Sequence, residues 1–346
     1  VKAIDEAVDS LRRALRDPKR EDAKELARAL DEKVMRPVRA LLGASNRVLL
    51  SPDSALNLVP FAALVDEQNR YLVERYEFSY LTSGSDLLRL QSGIPGKQAP
   101  LVVANPDFGE RASAGGERSI EHTSQASTSA FRKIFFRPLP ATTAEGEALR
   151  GLLPGARLLT GERATEAALK QVSGPVILHI ATHGFFLKDL KVGPPASGEG
   201  ATRVDNPLLR SGLALAGANR QTKEEDGILT AEEVASLDLW GTKLVALSAC
   251  DTGVGEIKTG DGVHGLRRAL VLAGSESQVM SLWPVSDKGT RDLMIGYYRA
   301  LASGKGRSAA LRDVQLQLLK RKDRQHPYYW ASFIESGEWA NLEGKR

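Results

Sequence analysis

His183 and Cys250 carry chemistries that complete each other. An imidazole takes up a proton near neutral pH, and a thiol becomes a strong nucleophile only when it gives one up. Cys250, inside Val245-Ala246-Leu247-Ser248-Ala249-Cys250-Asp251-Thr252-Gly253, is the single cysteine in 346 residues. Each of the two residues ends an apolar run and is followed by turn residues, Gly184 after His183 and Asp-Thr-Gly-Val-Gly after Cys250. In an open parallel sheet, reactive groups gather beyond the carboxyl ends of the strands. Two neighbouring strands ending in these residues would therefore set a base beside a thiol. Their separation of 67 positions forbids local contact, so only the fold brings them together. Gly184 has no Cβ to block an approaching carbonyl oxygen, and its N–H with that of Cys250 would form an oxyanion hole.

Other readings of the same residues stand beside this one. A lone cysteine ending an apolar strand also fits a small buried hydrophobe, and His-Gly at a strand end also fits a turn. His179, His183 and Cys250 could share a metal ion, but histidines at i and i+4 suit a helix, whereas Val176-Ile177-Leu178-His179-Ile180 reads as strand. The expected site therefore holds no metal and calls for no cofactor. His179 shares strand parity with His183, which fits orienting it or simply packing. His264 reads as structural, Trp240 and Trp283 as core, and Asp251 and Asp261 as turn residues. Gly253, Gly255, Gly260 and Gly262 read as a mobile loop after the cysteine.

Around these residues the chain has the texture of an α/β protein. Hydrophobic residues make up 42% and charged residues 26%, enough to bury a sizeable core, and the length favours about two domains. A net charge of +4 with no basic stripe gives no case for nucleic acid. No apolar run reaches the ~18 residues of a membrane span. A single cysteine leaves no internal disulfide and fits a reducing, cytoplasmic setting. The first residue is Val1, which suggests a piece of something longer. Residues 1–42 read as two helices separated by Asp17-Pro18-Lys19-Arg20-Glu21-Asp22, the second carrying Leu26, Leu30, Val34 and Val38 at helical spacing. Short apolar runs follow at 47–53, 78–84, 100–109, 156–161, 175–184, 243–250 and 277–285, with helices at 262–273, 290–302 and 306–321. Thr165 reads as the cap of a helix after 156–161. The polar stretch 109–130 reads as a surface loop, and 187–227 as a long insertion expected to be mobile and open to proteases. Arg220 and Lys258 are possible self-cleavage points.

"VILHIATHGFF" with "LVALSACDTGVGEIKTGDGVHGLRRALVLAGSESQVMSLWPVSD" resembles the CHAT-type caspase-like cysteine peptidases, a family commonly found behind tetratricopeptide repeats. "LSPDSALNLVPFAALVD" (50–66), "YLTSGSDLL" (80–88), "VVANPDF" (102–108) and "LLTGERATEAAL" (158–169) are also similar to phrases of that family, so the resemblance covers roughly residues 40–340. The general caspase layout, a histidine upstream of an Ala-Cys loop, is matched in arrangement and not in letters. The resemblance implies a caspase-like, mainly parallel sheet flanked by helices, with a degenerate pseudo-caspase half at 43–135 packed against a catalytic half at 136–346. The helices of 1–42 would end an upstream repeat region or belong to the first half. It places the family's His-Gly on His183 and Gly184, and its Ser-Ala-Cys on Ser248, Ala249 and Cys250. The implied activity is a cysteine endopeptidase acting on protein substrates under an upstream tetratricopeptide-repeat or other sensor module, with no nucleic acid and no membrane as partner. A catalytically silent scaffold of the same fold is the alternative. "SLWPVSDKGT" (281–290) is similar to the separase phrase that floors the pocket for the residue before the cut. The matching carboxylate is Asp287, which would favour Arg over Lys there, since no arginine is comparably placed to hold an acidic residue. Asp287 would serve equally well as the cap of a helix starting near Thr290.

Overall fold

The short apolar runs form strands, and those in the interior of the sheet are buried on both faces, as parallel strands covered by helices must be. The computed structural model describes residues 2–91, 93–110, 134–186, 208, 211–220, 225–248, 250–251, 261–283 and 287–346, with the backbone alone at 186, 250–251, 261–264 and 287. In chain order the strands are β1 (Arg47–Leu50), β2 (Glu77–Tyr80), β3 (Leu101–Pro106), β4 (Arg157–Gly161), β5 (Ile177–Ala181) and β6 (His183–Phe186). They continue with β7 (Ser211–Ala214), β8 (Ile228–Thr230), β9 (Leu244–Leu247), β10 (Cys250–Asp251), β11 (Ser277–Ser281) and β12 (Phe333–Gly337). The helices are α1 (Lys2–Leu15), α2 (Ala23–Val34), α3 (Arg36–Leu42), α4 (Asp86–Arg89), α5 (Ala141–Leu152) and α6 (Glu166–Lys170). The rest are α7 (Ala231–Ala235), α8 (Asp261–Leu272), α9 (Asp287–Ala302), α10 (Arg307–Leu319) and α11 (Pro327–Trp330).

Eight strands form one sheet in the order β1-β2-β12-β11-β9-β5-β3-β4, parallel throughout except for β11 against β12. β5 and β9 lie at its centre, and Ile177, Leu178, Ile180, Leu244, Val245 and Leu247 are all at most 2% exposed. Each such side chain contributes about 1.5–3 kcal/mol by leaving water, so the centre of the sheet holds the molecule together. Strands from both expected halves share this sheet: β3 lies between β5 and β4, while β1 and β2 join through β12. Parallel pairing needs a crossover connection, so neighbours in the chain need not be neighbours in the sheet.

The first 42 residues form three helices rather than two. Pro37 lacks the N–H that a continuous helix needs, and the turn breaks at Met35, leaving Val38 40% exposed. Val8, Leu11 and Leu15 of α1, with Ala27 and Leu30 of α2, enter the same core as Val48, Leu58 and Tyr80. Thr165 caps α6 as its sequence position indicates, its Oγ1 accepting the Ala168 N–H at 3.1 Å. Trp283 is core, but Trp240 is 47% exposed. It stands in the turn before β9, where its indole lies over Gly274 and would meet an added Cβ at 2.8 Å. Part of the expected insertion is also ordered. Ser211–Ala214 is a fully buried strand and Asn219 is buried behind it, while 187–207, 209–210 and 221–224 lie outside the described residues, as does the loop 252–260 with Lys258. Among the described residues no helix is long and apolar enough to cross a membrane.

Two buried polar assemblies cross the core. His179, fully buried on β5, bonds through Nε2 to Glu145 Oε1 of α5 at 3.0 Å and through Nδ1 to the Tyr298 hydroxyl of α9 at 3.2 Å. A carboxylate only accepts, so Nε2 donates to Glu145, and Nδ1 shares the second hydrogen bond with the Tyr298 hydroxyl. Burial pushes the Tyr298 phenol well above its ordinary value, with the Glu145 charge adding to it, which keeps that O–H a donor. On the same face of the sheet, three strands away from β5, Glu335 of β12 accepts the Ser79 hydroxyl at 2.6 Å. Burial pushes the Glu335 carboxyl well above 4.5; Ser79 and Arg307 oppose the shift, and Glu338 and Glu77 reinforce it.

His179→Ala should leave Glu145 and Tyr298 without their shared partner and cost about 3 kcal/mol or more in urea unfolding, against about 1 kcal/mol for Tyr298→Phe. Glu335 has its own pH signature. Its folded-state value is raised, so its contribution is whole below about pH 4.5 and declines as pH rises towards the folded-state value. Glu335→Gln removes that titration. Its stability relative to wild type should climb as pH rises above about 4.5 in urea melts; a flat difference would contradict the assignment.

Candidate active site

The site is built by a register. β5 pairs with β9 as Ile177↔Leu244, Leu178↔Val245, His179↔Ala246 and Ile180↔Leu247, and β6 pairs with β10 as His183↔Cys250 and Asp251↔Gly184. All six pairs keep the same offset of 67 residues, so β6 and β10 continue the central ladder after a short interruption. The Ser248 N–H bonds to the Ile180 carbonyl at 2.9 Å just before that interruption. The sequence distance between histidine and cysteine is thus the register of the two central strands. Neighbouring strands run about 4.8 Å apart, which sets the His183 and Cys250 backbones side by side at the carboxyl edge of the sheet.

Beyond that edge the two ladders turn into a second sheet, β10-β6-β7-β8. β6 and β7 are antiparallel, as are β7 and β8, and their inner face meets a small core of Phe108, Ile134, Phe136, Phe185, Ala214, Ala218 and Ile228. The half-buried imidazole of His183 rests on this core, with ring centres 5.2 Å from Phe108 and 5.9 Å from Phe136. Its Nε2 lies 2.7 Å from the Arg137 backbone carbonyl. A carbonyl oxygen accepts and cannot donate, so Nε2 carries the proton and the neutral ring leaves Nδ1 as its basic nitrogen.

The structure brings together His183, Gly184 and Cys250. Asp287 opens α9 after β11, which runs parallel to β9, so it too leaves from the carboxyl edge; its side chain lies outside the described residues. His179 does not join the site. It is fully buried, and both its ring nitrogens are taken by Glu145 and Tyr298. Two arginines contribute near this edge in other ways: Arg137 supplies the carbonyl, and Arg220 donates to Asp107 at 2.9 Å. Sequence reasoning missed Arg137 because its contribution is a backbone oxygen, common to every residue type. Phe108 carried a usable signal, as it ends the apolar run 100–108 at the same edge.

A chain with this sheet and this histidine–cysteine register belongs to the CHAT domain family, whose model matches residues 24–338. It is 26% identical over 315 residues to tetratricopeptide repeat protein 28 of Homo sapiens, covering 87% of this chain and 12% of that protein. It therefore spans about an eighth of the length of the curated relatives it matches. Among solved structures it is similar to the Saccharomyces cerevisiae separase–securin complex, at 13% identity and a TM-score of 0.43, covering 82% of this chain and 14% of that one. It is also similar to the Arg-specific cysteine proteinase gingipain R, at 10% identity and a TM-score of 0.47, covering 99% of this chain and 75% of that one.

Gly212 of β7 tests how the second sheet supports the site. A Cβ there would come within 2.6 Å of the Leu229 carbonyl oxygen and 2.9 Å of the Phe185 ring. Gly212→Ala should force β7 away from β6 and β8, costing about 1–3 kcal/mol in thermal unfolding and slowing alkylation of Cys250. Unchanged stability with unchanged thiol reactivity would show that β7 does not brace the histidine strand.

Proposed function

We propose that this domain is a cysteine endopeptidase that cuts protein substrates through a Cys250–His183 dyad. The observation that carries the reading is the shared 67-residue register, which makes His183 and Cys250 direct ladder partners. In the reaction, Nδ1 of His183 takes the Cys250 proton while Nε2–H stays on the Arg137 carbonyl. The thiolate attacks the scissile carbonyl, and the oxyanion that forms accepts from the backbone N–H groups of Gly184 and Cys250. His183 then returns the proton to the leaving amine as the C–N bond breaks. Water, deprotonated by His183, hydrolyses the resulting thioester and frees the thiol.

For substrate preference we propose a basic residue before the cut, Arg ahead of Lys, with Asp287 as the carboxylate that holds it. The support is the similarity of 281–290 to a pocket phrase and the departure of α9 from the same edge as β10. A guanidinium offers carboxylate a fork of charge-assisted bonds, whereas an ammonium offers a point charge. Control by a repeat module fits the relatives' name, which describes tetratricopeptide repeats. The same name mentions no peptidase, and that favours a second reading: a scaffold of the same fold in which Cys250 does no chemistry. The two readings differ in whether an active-site-directed electrophile labels Cys250 selectively in the native protein. Metal-assisted hydrolysis through His179, His183 and Cys250 is disfavoured by the two bonds that enclose His179.

A peptide-library cleavage profile of the full-length protein tests the function. Cys250→Ala and His183→Ala should each abolish cleavage and leave thermal unfolding nearly unchanged, because the pair acts as a unit. Near-wild-type cleavage by His183→Ala would break the dyad. Asp287→Ala should lower kcat/KM for Arg peptides by ~30-fold or more, since losing one partner of a desolvated pair costs about 2–5 kcal/mol. If Asp287 only caps α9, the outcome is instead about 1 kcal/mol of lost stability with unchanged specificity.

A further inference from the structure

We infer that Asn219 is a positioning residue for His183, an inference that rests on the dyad reading of that histidine. Asn219 follows β7 and is 7% exposed. Its Nδ2 donates to the Gly109 carbonyl at 2.8 Å and to the Phe136 carbonyl at 2.9 Å, and its Oδ1 accepts the Phe136 N–H at 2.9 Å. Its own N–H donates to the Phe108 carbonyl at 2.8 Å. Both side-chain N–H groups and the side-chain oxygen are thereby used. The amide treats Phe136 as a neighbouring strand would, meeting its backbone donor and its backbone acceptor together.

What hangs from this one amide is the whole setting of the imidazole. Phe136 and Phe108 flank the His183 ring, and Arg137, the next residue after Phe136, presents the carbonyl that takes Nε2–H at 2.7 Å. Phe108 belongs to the segment after β3, and Phe136 to the segment before α5. Asn219 ties the two to each other and to the second sheet. No other side chain of this size both donates twice and accepts in one plane: a carboxylate has no donor, and leucine has neither. Loosening the clamp frees the Arg137 carbonyl from its position. A carbonyl acceptor favours the charged ring, so its loss lowers the affinity of His183 for a second proton and thins the thiolate–imidazolium pair near neutral pH.

The test compares full-length wild type with Asn219→Ala, Asn219→Leu and a remote core control, Val314→Ala. The His183 ring is followed by 15N NMR, its signals identified by their loss in His183→Gln. Cys250, the single cysteine, is followed by its rate of carbamidomethylation against pH. Wild type should carry the neutral-ring proton on Nε2. Asn219→Ala should lower the imidazole pKa by about one unit and slow alkylation at pH 6.5 by about tenfold, with Val314→Ala moving neither. Asn219→Leu, similar in size and uncharged but with neither donor nor acceptor, should shift both in the same direction and takes the place of the alanine variant if that one does not fold. A folded Asn219 variant with the wild-type tautomer and pKa would overturn the assignment, as would an equal shift in the control. If wild-type Cys250 is unreactive and no peptide is cut, the peptidase reading fails, while the His183 ring still decides the role of Asn219.

Discussion

The register between β5 and β9 is the constraint on which the rest of the molecule depends. It is fixed by apolar side chains buried on both faces of the sheet, so a slip of one residue would turn a fully buried set the wrong way. Because β6 and β10 inherit the same offset, the pairing of His183 with Cys250 follows from packing several residues away. The hydrophobic core thus does the aligning. The edge needs only to hold an imidazole at the right tilt.

That holding falls to the smaller sheet and its aromatic bed. Phe108, Phe136 and Phe185 form a second core apart from the main one, and the imidazole rests against it. The design separates tasks: the large core sets position along the strands, and the small core sets ring orientation. One set of polar groups in the large core is held by specific partners: Glu145, His179 and Tyr298. This chain of bonds ties α5 and α9 to β5, the strand that leads into His183. Glu335 is buried beside the Ser79 hydroxyl, and that burial pushes its carboxyl well above the ordinary carboxylate range.

Much of this was legible in the residues. The runs that became β1, β3 to β5, β9 and β11 are apolar and that of β2 is aromatic, and their helices carry ordinary spacing and caps, Thr165 among them. The pairing of His183 with Cys250 was legible because both residues end such runs. What escaped has physical reasons. β7, Ser211-Gly212-Leu213-Ala214, is too small and short to stand out from the polar chain around it, though every residue in it is buried. β12 carries Glu335 and Ser336, whose polarity conceals a fully buried strand until partners on β2 and β11 are known. Trp240 looked like core because of its type, but its place in a turn leaves it half exposed. The Arg137 carbonyl and the Asn219 clamp depend on contacts between distant backbone segments, and no residue pattern announces those.

The central claim is that the shared register makes His183 the partner that ionises Cys250. With one cysteine in the chain, thiolate absorbance in the ultraviolet reports this residue alone. Titrated in folded wild type and in His183→Ala, Cys250 should show thiolate well below pH 7 in the first and an inflection near the ordinary thiol value of about 8.5 in the second. The same inflection near 8.5 in both proteins would contradict the account.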